Sequence, residues 1–200
     1  GEVAVQLIRE ARKSEDIAAI VVRVDSPGGS AFASEMIRLE LELAQLDEIP
    51  VVVSFASVAA SGGYWLAATS DYIVAEPNTI TGSIGVFSVL FTAQEALDKL
   101  GIHSDGIATT PFSLTDPFTS PSDQLDQALQ LNVEHGYNQF VELVAKGRDL
   151  DKNKVEGVAQ GKVWLGSEAI ENGLADEVGS LPHALSKAAE LANIERWSPD

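Results

Sequence analysis

At 200 residues and 21.2 kDa the chain suits one domain, and a 45% hydrophobic content excludes wholesale disorder. Thirty acidic against 13 basic residues give a formal charge of −17, which argues against nucleic acid as a partner. The absence of cysteine removes both a disulfide framework and a thiolate site.

Val5, Leu7, Ile8 and Ala11 share one helical face, with Arg9, Glu10, Arg12 and Lys13 outside it. Ile17–Val24 reads as a strand, and Asp25-Ser26-Pro27-Gly28-Gly29-Ser30 as the turn after it. Ala31–Leu46 is again helical, with glutamates between its apolar residues. Val51–Phe55 follows Pro50 as a short, fully buried parallel strand. Ala59–Ala68 then carries Ser61-Gly62-Gly63 into the helix-compatible Tyr64–Ala68, and Tyr72–Ala75 is another strand. Strand–helix alternation of this kind predicts an α/β fold with a mostly parallel sheet.

Thr79–Val89 is uncharged and β-branched, with Gly82 and Gly85 as bend points, and Thr92–Leu100 is a helix stopped by Gly101. Residues 103–121 hold three prolines and read as a long irregular loop. A long amphipathic helix over Ser122–Arg148, a shorter one over Asp151–Gln160 and an isolated strand at Val163–Trp164 come next. Ser167–Glu171 and a helix over Pro182–Asn193 close the chain. One domain is expected over residues 1–200, with 1–121 as the strand-and-helix core and 122–200 as a helical extension. The uncharged runs Pro50–Ser70 and Pro77–Gln94 are broken by Gly, Ser and Thr, so they read as buried strand-plus-helix units, not membrane spans. An opening at Gly1 that enters a helix almost at once reads as a piece of something longer.

Ligands bind at the carboxyl ends of parallel strands, where Ser-Pro-Gly-Gly and Ala-Ser-Gly-Gly both fall. Ser61, where a buried strand turns into a helix, is either a nucleophile or an N-cap. Gly28 and Gly29 either close a turn or offer backbone N–H groups to a developing oxyanion. A serine nucleophile needs a base. His135 and His183 read as surface residues, and His103-x-Asp105 is a weak metal pair with no further ligand nearby. Lysines 13, 99, 146, 152, 154, 162 and 187 lie mostly in charged helical surroundings, and none reads as buried and poised. No metal and no cofactor is expected.

Taken together, D-S-P-G-G-S at 25–30, A-S-G-G-Y-W at 60–65 and T-G-S-I-G at 81–85 resemble the S49 peptidase family, the signal peptide peptidase A (protease IV) family. K-L-G at 99–101, V-A-K-G-R at 144–148 and G-x-x-A-x-x-x-G-L-A-D at 166–176 extend the resemblance over nearly the whole chain. It implies the spiral of ββα units of the wider Clp-protease and crotonase superfamily. It also implies a Ser/Lys dyad with Ser61 as nucleophile, and an oxyanion hole from Gly29 and the N–H of Gly62, with Gly28 shaping the turn. Ser83 would help hold the lysine ammonium. Short members of the family place that lysine in the stretch corresponding to 103–121, where this chain has Ser113-Leu114-Thr115-Asp116 and no lysine. The resemblance is therefore to the C-terminal repeat of the long form, whose base comes from an N-terminal half. It implies hydrophobic signal peptides as substrates, a homo-oligomer, anchoring to the membrane through a segment outside this chain, and work on the periplasmic side. A crotonase-like acyl-CoA site and a catalytically silent scaffold are the alternatives, and the serine in Ser-Gly-Gly-Tyr-Trp favours the peptidase.

Overall fold

The computed structural model describes residues 1–104, 106–107, 109–110, 118 and 120–194. In chain order the elements are α1 (Glu2–Lys13), β1 (Ile20–Ser26), α2 (Ala31–Leu46), β2 (Val51–Ala60), α3 (Gly62–Trp65), β3 (Tyr72–Ala75) and β4 (Ile80–Gly82). They continue with α4 (Gln94–Asp98), α5 (Asp123–Gly147), α6 (Lys152–Val158), β5 (Val163–Leu165), α7 (Gly166–Glu171), β6 (Glu177–Val178) and α8 (Leu181–Leu191). This is a mixed α/β fold around a curled, mostly parallel sheet, as the strand–helix alternation predicts.

The sheet is organised on β2. Along one edge β2 pairs with β1, from Ile20↔Val51 to Val24↔Phe55, with an irregularity at Asp25 before Ser26↔Ala59. Along the other edge it pairs first with β3, Val52↔Tyr72 to Phe55↔Ala75, and then with β4, Val58↔Ile80 to Ala60↔Gly82. Changing partner halfway curls the sheet. The extra residues at this irregularity lie in β2, between Phe55 and Ala59, and Asp25 Oδ1 accepts from Val58 N–H at 3.1 Å, tying β1 to that bulge. Among the described residues only β4 and β5 pair antiparallel.

Both faces of β2 are covered, which is why its opening residues are an unbroken apolar run. Ile8, Leu41 and Ala44 pack with Ile20 and Val51 on one side, and Ala184 and Ala188 with Val52 and Val74 on the other. Val51, Val52, Val53 and Phe55 are wholly removed from solvent, and burial of such side chains contributes about 1.5–3 kcal/mol each.

Several boundaries differ from those expected. β1 starts three residues later than Ile17 and runs to Ser26, and β2 continues past Phe55 to Ala60 because β4 pairs with its last residues. The helix after Ser61 is a single turn, Gly62–Trp65. Only Ile80–Gly82 of the β-branched run 79–89 is strand, and α4 is confined to Gln94–Asp98.

The chain divides into two compact units, residues 1–85 together with the chain from 139 onward, and residues 86–138. The second unit contains α4, which has no buried residue, and most of α5. Phe87, Val89, Phe91, Leu100 and Ile102 all stand exposed in it. Among the described residues no helix is long and apolar enough to cross a membrane.

Candidate active site

Three strand ends meet at Ser61. β2 delivers it, and its backbone takes φ 51°, ψ −119°, a left-handed conformation that a side-chain-bearing residue adopts only at a cost. Its N–H donates to Gly82 O at 2.9 Å, which ties it to the end of β4. Its carbonyl accepts from Tyr64 N–H at 2.9 Å and from Trp65 N–H at 2.8 Å, closing the one turn of α3. The Ser61 hydroxyl does not cap that helix, so the N-cap reading fails: the side chain is half-buried and makes no hydrogen bond among the described residues.

The Gly28–Gly29 turn from the end of β1 lies directly against this elbow. Gly28 has φ 107°, and a Cβ on it would sit 2.7 Å from both Gly62 N and the Ser61 Cβ, so only glycine fits. Ser26 shapes the turn by accepting from Gly28 N–H at 3.2 Å, and Ser30 closes it by capping α2 at Ala33 N–H, 3.3 Å away. A Cβ on Gly62 would meet Ser34 Oγ at 2.5 Å and Gly29 N at 3.3 Å. Gly29 itself, at φ 142°, faces open space. The N–H groups of Gly29 and Gly62 donate to no acceptor among the described residues, which leaves two adjacent donors beside a free hydroxyl.

Ser83 arrives through the β2–β4 ladder, one step past the Ala60↔Gly82 pair. It too is left-handed, φ 50°, and its N–H donates to Lys162 O at 2.7 Å. The structure thus brings Gly28, Gly29, Ser61, Gly62 and Ser83 together. Among the described residues it brings no base to them. Lys162 Nζ turns away to Gly157 O at 2.8 Å, Lys152 pairs with Glu142 at 3.2 Å, and Lys187 pairs with Glu190 at 2.8 Å over the Tyr72 ring. Lys13, Lys99, Lys146 and Lys154 are exposed. The histidines offer nothing better: His103 meets Asp98 at 3.0 Å, His183 sits in the cap of α8 with Ser180, and His135 is exposed. Asp105 and the stretch Ser113–Asp116 lie outside the described residues. Among the described residues no group of three His, Cys, Asp or Glu could hold a metal ion.

The remaining motifs lock α3 from behind. The Tyr64 hydroxyl, buried with its ring edge-on to Phe55, donates to Leu174 O at 2.8 Å. Burial pushes the Tyr64 phenol up, so it stays a donor. Arg148 donates to Gly173 O at 3.2 Å and pairs with Asp176, whose other oxygen accepts from Ile73 N–H at 2.7 Å. V-A-K-G-R and G-L-A-D therefore form one clamp on the strand and helix that flank Ser61. Glu35 and Ser34 of α2 also reach this helix, with Arg38 holding Glu35, and their positions among the glutamates of an amphipathic helix carry no sign of it.

The fold and this strand-end arrangement define an α/β protein with a serine elbow on a curled parallel sheet. The Peptidase family S49 profile matches residues 44–195, and the chain belongs to that family. It is 47% identical over 193 residues to "Protease 4" of Haemophilus influenzae, covering 96% of this chain and 31% of that protein. It is 45% identical over 200 residues to "Protease 4" of Salmonella typhi, covering all of this chain and 32% of the relative. A "Putative signal peptide peptidase SppA" of Enterococcus faecium is 34% identical over 179 residues, 89% of this chain and 52% of that protein. The chain thus spans about a third of the length of the two Protease 4 relatives.

Proposed function

We propose that this peptidase-family chain is the nucleophile-bearing part of a serine endopeptidase that works by a Ser/Lys dyad, with the lysine supplied by another part of a longer protein. One observation carries the reading: a strained, half-buried serine with an unbonded hydroxyl stands beside two free backbone N–H groups, and no lysine or histidine of the described residues approaches it.

In this mechanism Ser61 Oγ attacks the scissile carbonyl while a neutral lysine takes its proton. The N–H groups of Gly29 and Gly62 receive the oxyanion, a stabilisation worth on the order of a hundredfold or more in turnover for each donor. The lysine ammonium, held in part by Ser83, returns its proton to the leaving amine, and water then releases the acyl group. A lysine can act so only in a desolvated pocket, and Lys13, Lys99, Lys146, Lys152, Lys154 and Lys162 stand exposed. The substrates are hydrophobic peptides of the signal-peptide class, in keeping with the name of the Enterococcus relative. The working form is a homo-oligomer, membrane-anchored through a segment outside this chain and facing the periplasm. An acyl-CoA site would leave the strained serine without a purpose.

The test is a hydrophobic peptide substrate offered to this chain alone and after mixing with the lysine-bearing part of the protein, followed by a serine-directed phosphonate. Turnover in the mixture only, with the label on Ser61, is expected. Full turnover by the isolated chain, lost on mutating Lys99 or Lys162, would refute the borrowed base.

A further inference from the structure

The helix that follows Ser61 is one turn long and cannot hold itself. Yet Ser61 sits in a strained backbone conformation, which persists only where the surroundings over-determine it. The Gly28–Gly29 turn and Ser34 hold the start of that helix. Its other end is held by Trp65, whose backbone N–H donates to Ser61 O at 2.8 Å and whose indole N–H donates to Glu35 Oε2 at 2.6 Å.

Glu35 is in turn gripped by Arg38, Nε to Oε2 and Nη2 to Oε1, both at 2.8 Å. Such forked pairs fix direction as well as distance. Arg38 is buried and also reaches Glu42 at 3.1 Å and Thr69 Oγ1 at 3.4 Å. The indole packs on the Phe140 ring, 4.6 Å between centres. Burial works to raise the Glu35 carboxyl, and the hydrogen bonds from Arg38 and Trp65 outweigh it, leaving the group ionised below its usual range. A charged acceptor inside a four-residue chain of contacts to Ser61 is more than a surface helix needs.

We propose that Glu35, fixed by Arg38, is a positioning residue for the serine elbow: through the Trp65 indole it sets the turn of α3, and with it the left-handed backbone of Ser61 and the aim of the Gly62 N–H. The catalytic consequence rests on Ser61 being the nucleophile; the conformational statement does not.

Two variants test it. Trp65→Phe removes the indole N–H and keeps the ring on Phe140, and Glu35→Gln keeps the shape of the acceptor without its charge. Amide exchange over residues 61–66 of this chain is measured beside the denaturant midpoint. Phosphonate labelling of Ser61 is followed in the mixture that turns over substrate. Loss of one charge-assisted bond should speed local exchange about tenfold or more with the midpoint nearly kept. Labelling should slow about tenfold in its maximal rate, with inhibitor binding changed less than about twofold. The double variant should be no worse than the worse single one, because the two groups act as a unit. Local exchange unchanged in Trp65→Phe would overturn the proposal, as would a rise spread evenly over β2 with a lower midpoint. Faster local exchange in a protein whose Ser61 never labels would keep the positioning role and refute the nucleophile.

Discussion

Ser61 and Ser83 are two copies of one backbone event. Each follows a parallel strand, each is left-handed at nearly the same φ, and the Ser61 N–H to Gly82 O bond joins the two turns. Their surroundings differ. Ser61 opens a helical turn, its carbonyl takes two N–H groups, and the N–H of the next residue, Gly62, remains free. Ser83 opens no helix: its N–H goes to Lys162 O, and the next carbonyl, of Ile84, accepts from Gly161 N–H at 2.9 Å. One strained serine faces unsatisfied donors and the other is stitched to a neighbouring strand end. What separates them is the pair of N–H donors left open beside Ser61 among the described residues.

The sharpest way to break this comparison is to exchange the hydroxyls. Ser61→Ala should abolish turnover of the lysine-supplemented protein and all phosphonate labelling, a loss of about four orders of magnitude or more in rate. Mass mapping of the label on Ser83 in that variant would invert the two roles.

Next in size comes the glycine turn that Ser61 has and Ser83 lacks. Gly28→Ala places a Cβ 2.7 Å from Gly62 N and Ser61 Cβ, and turnover should fall on the order of a hundredfold or more as the donor is displaced. Gly29→Ala meets open space and only an unfavourable φ, so its loss should be smaller, and kinetics of the pair side by side test that order. Equal losses would place the oxyanion turn elsewhere.

Ser83→Ala should be milder, lowering turnover about tenfold while slow labelling at Ser61 continues, because in the proposed mechanism it removes one hydrogen bond to the base and leaves the donors intact. The smallest effect belongs to the anchor behind α3. Tyr64→Phe removes the bond to Leu174 O and should lower the free energy of unfolding by about 1 kcal/mol in a denaturant titration. The sign with pH follows from the raised phenol. Below the ordinary tyrosine value neither state ionises at Tyr64. Above it the unfolded chain releases a proton that the folded one keeps, so stability declines as pH rises past that value, and the decline should be shallower in Tyr64→Phe.

Where side chains are large and apolar, the sequence reading and the structure agree closely. α2 and β3 have the expected bounds, since helical periodicity and a buried β-branched run are set by the chain itself. β2 was underestimated because Ala56–Ala60 is small and weakly β-forming, and only pairing with β1 and β4 makes it a strand. The run from 79 to 89 yields only the short strand Ile80–Gly82, because Gly82, one of the expected bend points, and Ser83 turn left-handed and end the ladder. The glycines and serines of the candidate site could be marked from turn chemistry and family resemblance. Glu35 could not, since its inward bond depends on a tryptophan 30 positions away.

The Tyr64 to Leu174 bond spans 110 positions. A chain emerging from the ribosome completes β1, α2, β2 and α3 well before residue 174 is made, so over that interval the serine elbow exists without its rear anchor. The elbow thus gains its rear anchor only after Leu174 is made, and a chain clipped ahead of Gly173 holds all the residues of the elbow without the tether that steadies them. Built this way, the elbow is steadied by a segment made long after the elbow itself.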